Sequence, residues 1–411
     1  MTRYLIKMTM VTATQLHIGS GRRNDLSDSL LFRRADGQLV LPGTSLAGAL
    51  RSRATHLFPA LTNGHQCNAA RFPNRKEVCG CPVCRLFGDL YTDSKASARL
   101  SSRLRVHDSL ISADASIAIR DGVGLGRDSR AAADAIKFDY ETLPAGTRFV
   151  LQLEADLEDE LQQQLLAALL AEVGEGRVLF GGKSARGLGR VALEKVEARP
   201  VPPFSAGTLA GWMDLLRQDD WFTGADFTTD WYEQRLEEAR QLADRADLPT
   251  HIHLDAELRF TDAFLTRDSF LAVASRFDSM PLLSGGGAQR RTFLSGSAIR
   301  GALRFHSERI LRTLAADYAI DPWLAACDPL IDKDKGKSVC HSDPDRQCLA
   351  CKLFGSTERG SRLTIADAPQ VGDVLMFVQD YLAIDRFTGG GADRKKFDAV
   401  ACWEAYLSSS S

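Results

Sequence analysis

At 411 residues the chain is too long for one ordinary hydrophobic core, and 44% hydrophobic with 25% charged residues is the composition of a soluble globular protein of two domains and a connection. A formal net charge of −2 excludes an indiscriminate nucleic-acid binder, although the charge is uneven: Ser205 to Thr250 is acid-rich and Lys183 to Arg190 is basic. No apolar run reaches the length of a membrane span, and the alternating start from Met1 to Lys7 lacks the apolar core of a signal peptide, so a cytoplasmic protein with no membrane partner is expected.

In chain order, the first element is an alternating strand from Tyr4 to Ile18, followed by a loop and a helix opening at Thr44-Ser45, whose hydroxyls can cap free backbone N–H groups. A second helix is predicted over Asp156 to Val173: Leu161, Leu165, Leu166, Leu169, Leu170 and Val173 share one face, and Gly174 ends it. Val178-Leu-Phe180 and Arg190-Val-Ala-Leu-Glu194 flank a glycine-rich turn. Strand, helix, strands, helix, strand is the order of an α+β domain of ferredoxin-like (RRM-like) type with long insertions. Pro200 to Pro203 breaks the chain, and a helical connector with Trp212, Trp221 and Trp231 runs to about Pro249; three tryptophans mark a packed spacer. A second strand, His251 to Leu265, and a second helix opening at Ser295-Gly-Ser297 start the pattern again. The expected division is 1–200, 201–250 and 251–411.

That restart is a duplication. Leu41-Pro-Gly-Thr-Ser-Leu-Ala-Gly-Ala-Leu-Arg51 recurs as Leu294-Ser-Gly-Ser-Ala-Ile-Arg-Gly-Ala-Leu-Arg304, and Cys81-Pro-Val-Cys-Arg-Leu-Phe-Gly88 as Cys348-Leu-Ala-Cys-Lys-Leu-Phe-Gly355. Arg103-Leu104 and Asp108 match Arg362-Leu363 and Asp367, and Lys137-Phe-Asp139 matches Lys396-Phe-Asp398. After Asp398 the second copy has no counterpart of Leu143-Pro-Ala-Gly146, of the second helix or of the glycine-rich loop. It is expected to be shortened or to be completed by another subunit.

Eight of the nine cysteines fall into two clusters, Cys67, Cys79, Cys81, Cys84 and Cys327, Cys340, Cys348, Cys351, with His341 a possible substitute in the second. Four thiolates with a Cys-x-x-Cys knuckle suit tetrahedral zinc and leave no open position for water, so two structural Zn2+ sites are expected. The loop Gly181-Gly-Lys-Ser-Ala-Arg-Gly-Leu-Gly189 lets the backbone approach phosphates, with Lys183 and Arg186 supplying charge; its spacing is not that of a Walker loop, and a plain hairpin turn is the alternative.

Together, Leu16-His-Ile-Gly-Ser-Gly21, the Pro42 to Arg51 block, Cys-x-x-Cys-x-Leu-Phe-Gly and the glycine-rich loop resemble the RAMP superfamily of CRISPR-associated proteins, specifically backbone subunits of type III effector complexes. The resemblance implies two tandem modified ferredoxin-like domains that hold guide (CRISPR) RNA among other effector subunits. It also implies a projecting hairpin "thumb" in each, placed at Ile119 to Lys137 and Ile384 to Lys396. Implied RNA contacts, mostly to backbone, are His17, Ser45, Arg51, Lys183, Ser184 and Arg186 in the first copy and Ser297, Arg300 and Arg304 in the second.

The family's target-cleaving subunits carry one Asp between first strand and first helix. Asp28 and Asp278 fall there, with Asp25 and Asp36, and Asp262 and Asp268, as competitors. The resemblance implies Mg2+-dependent cleavage of target RNA by the neighbouring 2′-hydroxyl. The alternatives are a scaffold subunit without nuclease activity, a zinc-stapled protein adaptor, or a guide-processing endonuclease using His17, His107 or His306.

Overall fold

A computed structural model describes residues 2–62, 64, 67, 79–89, 100–127, 129, 131–201, 213, 217, 221–224, 226–244, 252–284, 291–328 and 340–408. The first copy runs β1 (Thr2–Thr12), α1 (Gly43–Thr62), α2 (Pro82–Phe87), β2 (Leu104–Val106), β3 (Ala118–Leu125), β4 (Ala132–Thr142), β5 (Arg148–Leu157), α3 (Glu160–Gly174) and β6 (Val191–Val201). Alternation along β1 buries Ile6, Met8, Met10 and Thr12 on one face. β1 ends sooner than the expected Ile18, because Leu16 and Ile18 enter the core from an irregular segment, Leu16 bridging Leu143. β1 lies between β5 and β6, with Met8 opposite both Leu151 and Val196, and the antiparallel sheet order is β2-β5-β1-β6.

Helices α1 and α3 cover the buried face. Leu46, Leu50, Ala54, Leu57 and Leu61 of α1 recur at helical spacing and meet Leu165, Leu166, Leu169, Leu170 and Val173 of α3 over the strands. Full burial of each such leucine contributes about 1.5–3 kcal/mol. The second helix starts later than Asp156: β5 continues to Leu157, and the Asp159 carboxylate caps α3 by accepting the Gln162 N–H at 2.8 Å. Leu161 is off the buried face, 39% exposed. Residues Val178 to Phe180 form no strand. They are a buried turn in which the Phe180 N–H donates to the Gly189 carbonyl at 2.9 Å.

In the connector, α4 (Asp230–Ala243) packs on α3: the Trp231 ring lies 5.2 Å from that of Tyr4 and its indole N–H donates to Gln163 Oε1 at 3.2 Å. Trp221 joins Leu5, Val201, Phe222 and Phe227 on the other face of the sheet. Trp212 lies outside the described residues.

The second copy keeps part of this plan: β7 (Glu257–Arg259), β8 (Arg291–Leu294), α5 (Gly296–Asp317), α6 (Leu349–Phe354), β9 (Ala368–Val371), β10 (Leu375–Ile384), β11 (Gly391–Trp403) and β12 (Tyr406–Ser408). One sheet runs Leu283–Ser284, β8, β9, β12, β7, and a second joins Ala263–Phe264 to β11 and β10. The expected strand from His251 to Leu265 is thus two short pieces in different sheets. The glycines Gly285 to Gly287 lie outside the described residues. On α5, Leu303, Ile310 and Leu314 are 48%, 57% and 49% exposed, where their repeat partners Leu50, Leu57 and Leu61 are at 0%, 7% and 7%.

Each copy carries a hairpin, β3–β4 with Asp121 opposite Asp139 and β10–β11 with Asp380 opposite Asp398. The first hairpin leans on the second copy: Arg120 donates to both oxygens of Asp367 at 3.0 and 3.3 Å, and Arg127 Nε reaches the fully buried Glu308 at 2.7 Å. No helix among the described residues is long and apolar enough to cross a membrane.

Candidate functional site

None of the eight clustered cysteines is in a disulfide, and in each set of four the sulfurs lie within 4.8 Å of one another. Zinc at Zn–S bonds of about 2.3 Å spaces its ligands by about 3.8 Å, so both sets fit a tetrahedral ion. The knuckle builds the geometry. Cys81 and Cys348 cap α2 and α6, their sulfurs accepting the Cys84 and Cys351 N–H groups at 3.4 and 3.3 Å. The Cys84 thiol, against the opposing effect of burial, pulls Cys81 down to about 4. The hydrogen bond from Cys81, together with burial, pushes Cys84 far up. His341 takes no part: its Nδ1 accepts the Asp343 N–H at 2.9 Å, and Cys340 completes the set.

The two arginines at the recurring motif position serve these clusters. Arg51 donates to the Phe87 carbonyl at 3.2 Å and points its other nitrogen at Cys84 Sγ, 3.6 Å away. Arg304 does the same to Gly355 O at 3.2 Å and Cys351 Sγ at 3.5 Å, and its Nε meets Glu308 at 2.7 Å. Burial opposes the Arg304 charge, but Glu308 and the Cys351 and Cys327 sulfurs outweigh it and raise its pKa. Arg300 is likewise turned inward, donating to Ser361 Oγ, Leu363 O and Phe354 O. Motif spacing alone cannot tell an arginine that faces phosphate from one that faces sulfur.

The start of each long helix repeats a second device. Asp108 accepts the Gly43 N–H and Asp367 the Gly296 N–H, both at 2.7 Å. The glycines are needed for this approach: a Cβ at Gly43 would stand 2.1 Å from Val106 O, and at Gly296 2.2 Å from Ile365 O. Behind them Thr44 and Ser45 stay exposed, and Ser297 lies half-buried with its hydroxyl 2.9 Å from Ser295.

Asp28 and Asp278 are both exposed and both lie at the root of their hairpin. Asp28 N–H donates to Asp139 Oδ1 at 2.9 Å, while Asp139 N–H donates to Asp28 Oδ2 at 3.1 Å. The second copy repeats the pair, Asp278 with Asp398, at 2.8 and 3.0 Å. Three of the four competing acids do other work. Asp36 holds a turn by accepting Gln38 N–H, Asp262 accepts Ala263 N–H, and Asp268 caps the short helix Ser269–Val273. His17 is 6% exposed, with Nδ1 at 2.6 Å from Glu141 O and Nε2 at 3.2 Å from Ser29 Oγ, so it wedges the aspartate loop against β4 from below. Burial lowers its pKa, partly offset by the Glu141 carbonyl.

The glycine-rich loop closes over the same region. Gly181 has φ +81° and no room for a Cβ, which would stand 2.2 Å from His17 O. Lys183, itself left-handed at φ 60°, lies over Tyr140 (4.3 Å) and Phe138 (5.1 Å), and its pKa is lowered by burial and by Arg186. Between this loop and α1 runs a cleft of about 670 Å3 lined by Ser45, Ser52, Arg53, His56, Arg177 and Ser184 among others. Arg53 and Arg177 both pair with Glu172 and set a basic floor that motif reading missed, because the fold alone brings Arg53 to Glu172 across 119 residues. Phe138 and Tyr140 were equally illegible, their stacking on the loop cations being a tertiary contact.

The site thus belongs to a protein built from two copies of one α/β unit, each with a cysteine cluster and an aspartate-bearing hairpin root. The chain belongs to the RAMP superfamily, whose family model matches residues 9–192 and 280–405, one stretch in each copy. No curated protein matches it. Membership of the superfamily points to a CRISPR-associated RNA-binding subunit.

Proposed function

We propose that the chain is a guide-RNA-binding backbone subunit of a type III CRISPR effector that cleaves bound target RNA with one loop aspartate in each copy. The observation that carries this reading is the recurrence of Asp28 and Asp278, exposed and held in the same way at the root of a hairpin in both copies. The sheet order β2-β5-β1-β6, with two helices on one face, supports a modified ferredoxin-like domain for the first copy, and the hairpins take the part of thumbs.

Guide contacts in this reading come from Ser45, Lys183, Ser184 and Arg186 around the cleft, and from Ser297 at the second helix start. They address phosphate and sugar, leaving sequence selection to base pairing. His17, Arg51, Arg300 and Arg304 act from beneath, by holding the aspartate loop and the cysteine knuckles. Zinc would be held by the two sets of four cysteines as structural staples.

In the cleavage step a target 2′-oxygen attacks the adjacent phosphorus and the bond to the 5′-oxygen breaks. The products are a 2′,3′-cyclic phosphate and a 5′-hydroxyl. The exposed carboxylate of Asp28 or Asp278 orients the attacking hydroxyl. Magnesium, when bound, would supply charge neutralisation at the phosphate, and the exposed carboxylates of Asp28 and Asp278 would hold its water shell.

The test is cleavage of target RNA by the assembled, guide-loaded complex, comparing wild type, Asp28→Ala, Asp278→Ala and the double variant. Loss of one distinct cut per single variant, with target binding retained, is the expected result. An unchanged pattern in the double variant makes the chain a scaffold.

A further inference from the structure

The aspartate pairs have a second member that the cleavage reading does not use. We infer that Asp139 and Asp398 are positioning residues, each fixing the cleavage aspartate of its own copy to the root of the hairpin. The inference rests on the cleavage reading above.

The geometry is a short parallel pairing between the aspartate loop and the outgoing strand of the hairpin. In the first copy Asp28 and Asp139 exchange their hydrogen bonds, Ser29 bridges Tyr140, and Glu141 N–H donates to Ser29 O at 3.0 Å. In the second copy Asp278 and Asp398 exchange theirs, Ser279 bridges Ala399, and Val400 N–H donates to Ser279 O at 3.0 Å. The register is the same in both.

What surrounds the pairs is not the same. In the first copy Glu141 also binds the Leu31 N–H and Arg33, and His17 buttresses Ser29. The second copy has Val400 at the position of Glu141 and Ala399 at that of Tyr140, so the carboxylate contacts of Glu141 have no counterpart; Arg267 instead donates to the Asp278 carbonyl at 3.2 Å, and the aspartate exchange remains. Two adjacent carboxylates repel, and a serine or asparagine would accept the same N–H without that cost. A pair kept in both copies despite the cost, where its neighbours have diverged, points to the cleavage aspartate as what it serves. The consequence is mechanical. Hairpin and cleavage residue move as one unit, so a hairpin that splays a duplex also sets where the carboxylate lies against the exposed phosphate.

The experiment uses the guide-loaded complex with target RNA and magnesium. Asp139→Ala is expected to slow the cut that Asp28→Ala abolishes by about tenfold or more, without changing target affinity or the other cut. Asp139→Asn, which keeps a carbonyl acceptor for the Asp28 N–H, is expected to restore that rate to within about twofold. Amide hydrogen exchange at residue 28 should quicken in Asp139→Ala and not in Asp139→Asn. An Asp139→Ala complex with unchanged cutting and unchanged exchange overturns the inference alone. So does an Asp139→Asn complex as slow as Asp139→Ala, since the residue then acts through its charge. If Asp28→Ala leaves every cut in place, the cleavage reading falls and this inference falls with it.

Discussion

Arg120 of the first hairpin closes two nitrogens on the Asp367 carboxylate of the second copy, with the arginine side chain at 2% and the aspartate at 11% exposure. The same carboxylate accepts the Gly296 N–H that begins α5, so one residue both starts a helix and ties two repeats together. The relative placement of the two copies, and of their two aspartate loops, therefore depends on a buried ion pair.

Removing one partner leaves the other buried and uncompensated. Arg120→Ala is expected to lower stability by about 3 kcal/mol, as measured by chemical denaturation. By contrast, Arg148→Ala, which breaks the exposed pair with Glu194, should leave the transition where it is. A wild-type transition in Arg120→Ala would mean that the copies do not rely on this contact.

Metal analysis of the purified chain should return two zinc ions per molecule, one for each cysteine set. Cys84→Ser and Cys351→Ser should each reduce this to one, and a chelator should lower the melting temperature because binding free energy is folding free energy in such loops.

Arg51 and Lys183 should separate in a salt titration of guide-RNA binding. Lys183→Ala is expected to reduce the slope of log affinity against log salt by about one. Arg51→Ala should leave that slope alone and instead speed zinc loss, because its guanidinium faces Cys84 Sγ and the Phe87 carbonyl.

The pH dependence of the aspartate loop follows from His17. Burial depresses its folded pKa below the ordinary 6.5, so the neutral ring contributes stability that is fully present above 6.5 and is lost as pH falls through the folded value. Acid-side unfolding curves of wild type and His17→Gln should accordingly differ in slope below pH about 6.5 and run parallel above it. Parallel curves throughout would contradict the burial argument.

The duplication supplies its own packing control. Leu50→Ala should destabilise by about 3 kcal/mol, whereas Leu303→Ala, at the same repeat position, should change stability by less than about 0.5 kcal/mol. The reason is their exposure, 0% against 48%.

The sequence by itself determined the duplication, the two cysteine sets and the starts of the two long helices at Gly43 and Gly296. These are written in local patterns: fixed ligand spacing, a glycine where backbone must approach backbone, apolar residues at helical period. Its errors also have local causes. The alternation that begins at Tyr4 runs past Thr12 because Leu16 and Ile18 continue it after the backbone has left the sheet. Asp156 and Leu157 fit either period, and only their pairing with Arg3 and Thr2 assigns them to a strand and not to the helix that follows.

Only the tertiary structure decided what the recurring polar residues touch. Arg51 and Arg304 turn to sulfur, His17 turns inward beneath Ser29, and Asp28 meets Asp139 across a separation of 111 residues. A side chain's role depends on which partner lies within about 3 Å, and that distance is set by sheet register and loop closure between segments far apart in the chain.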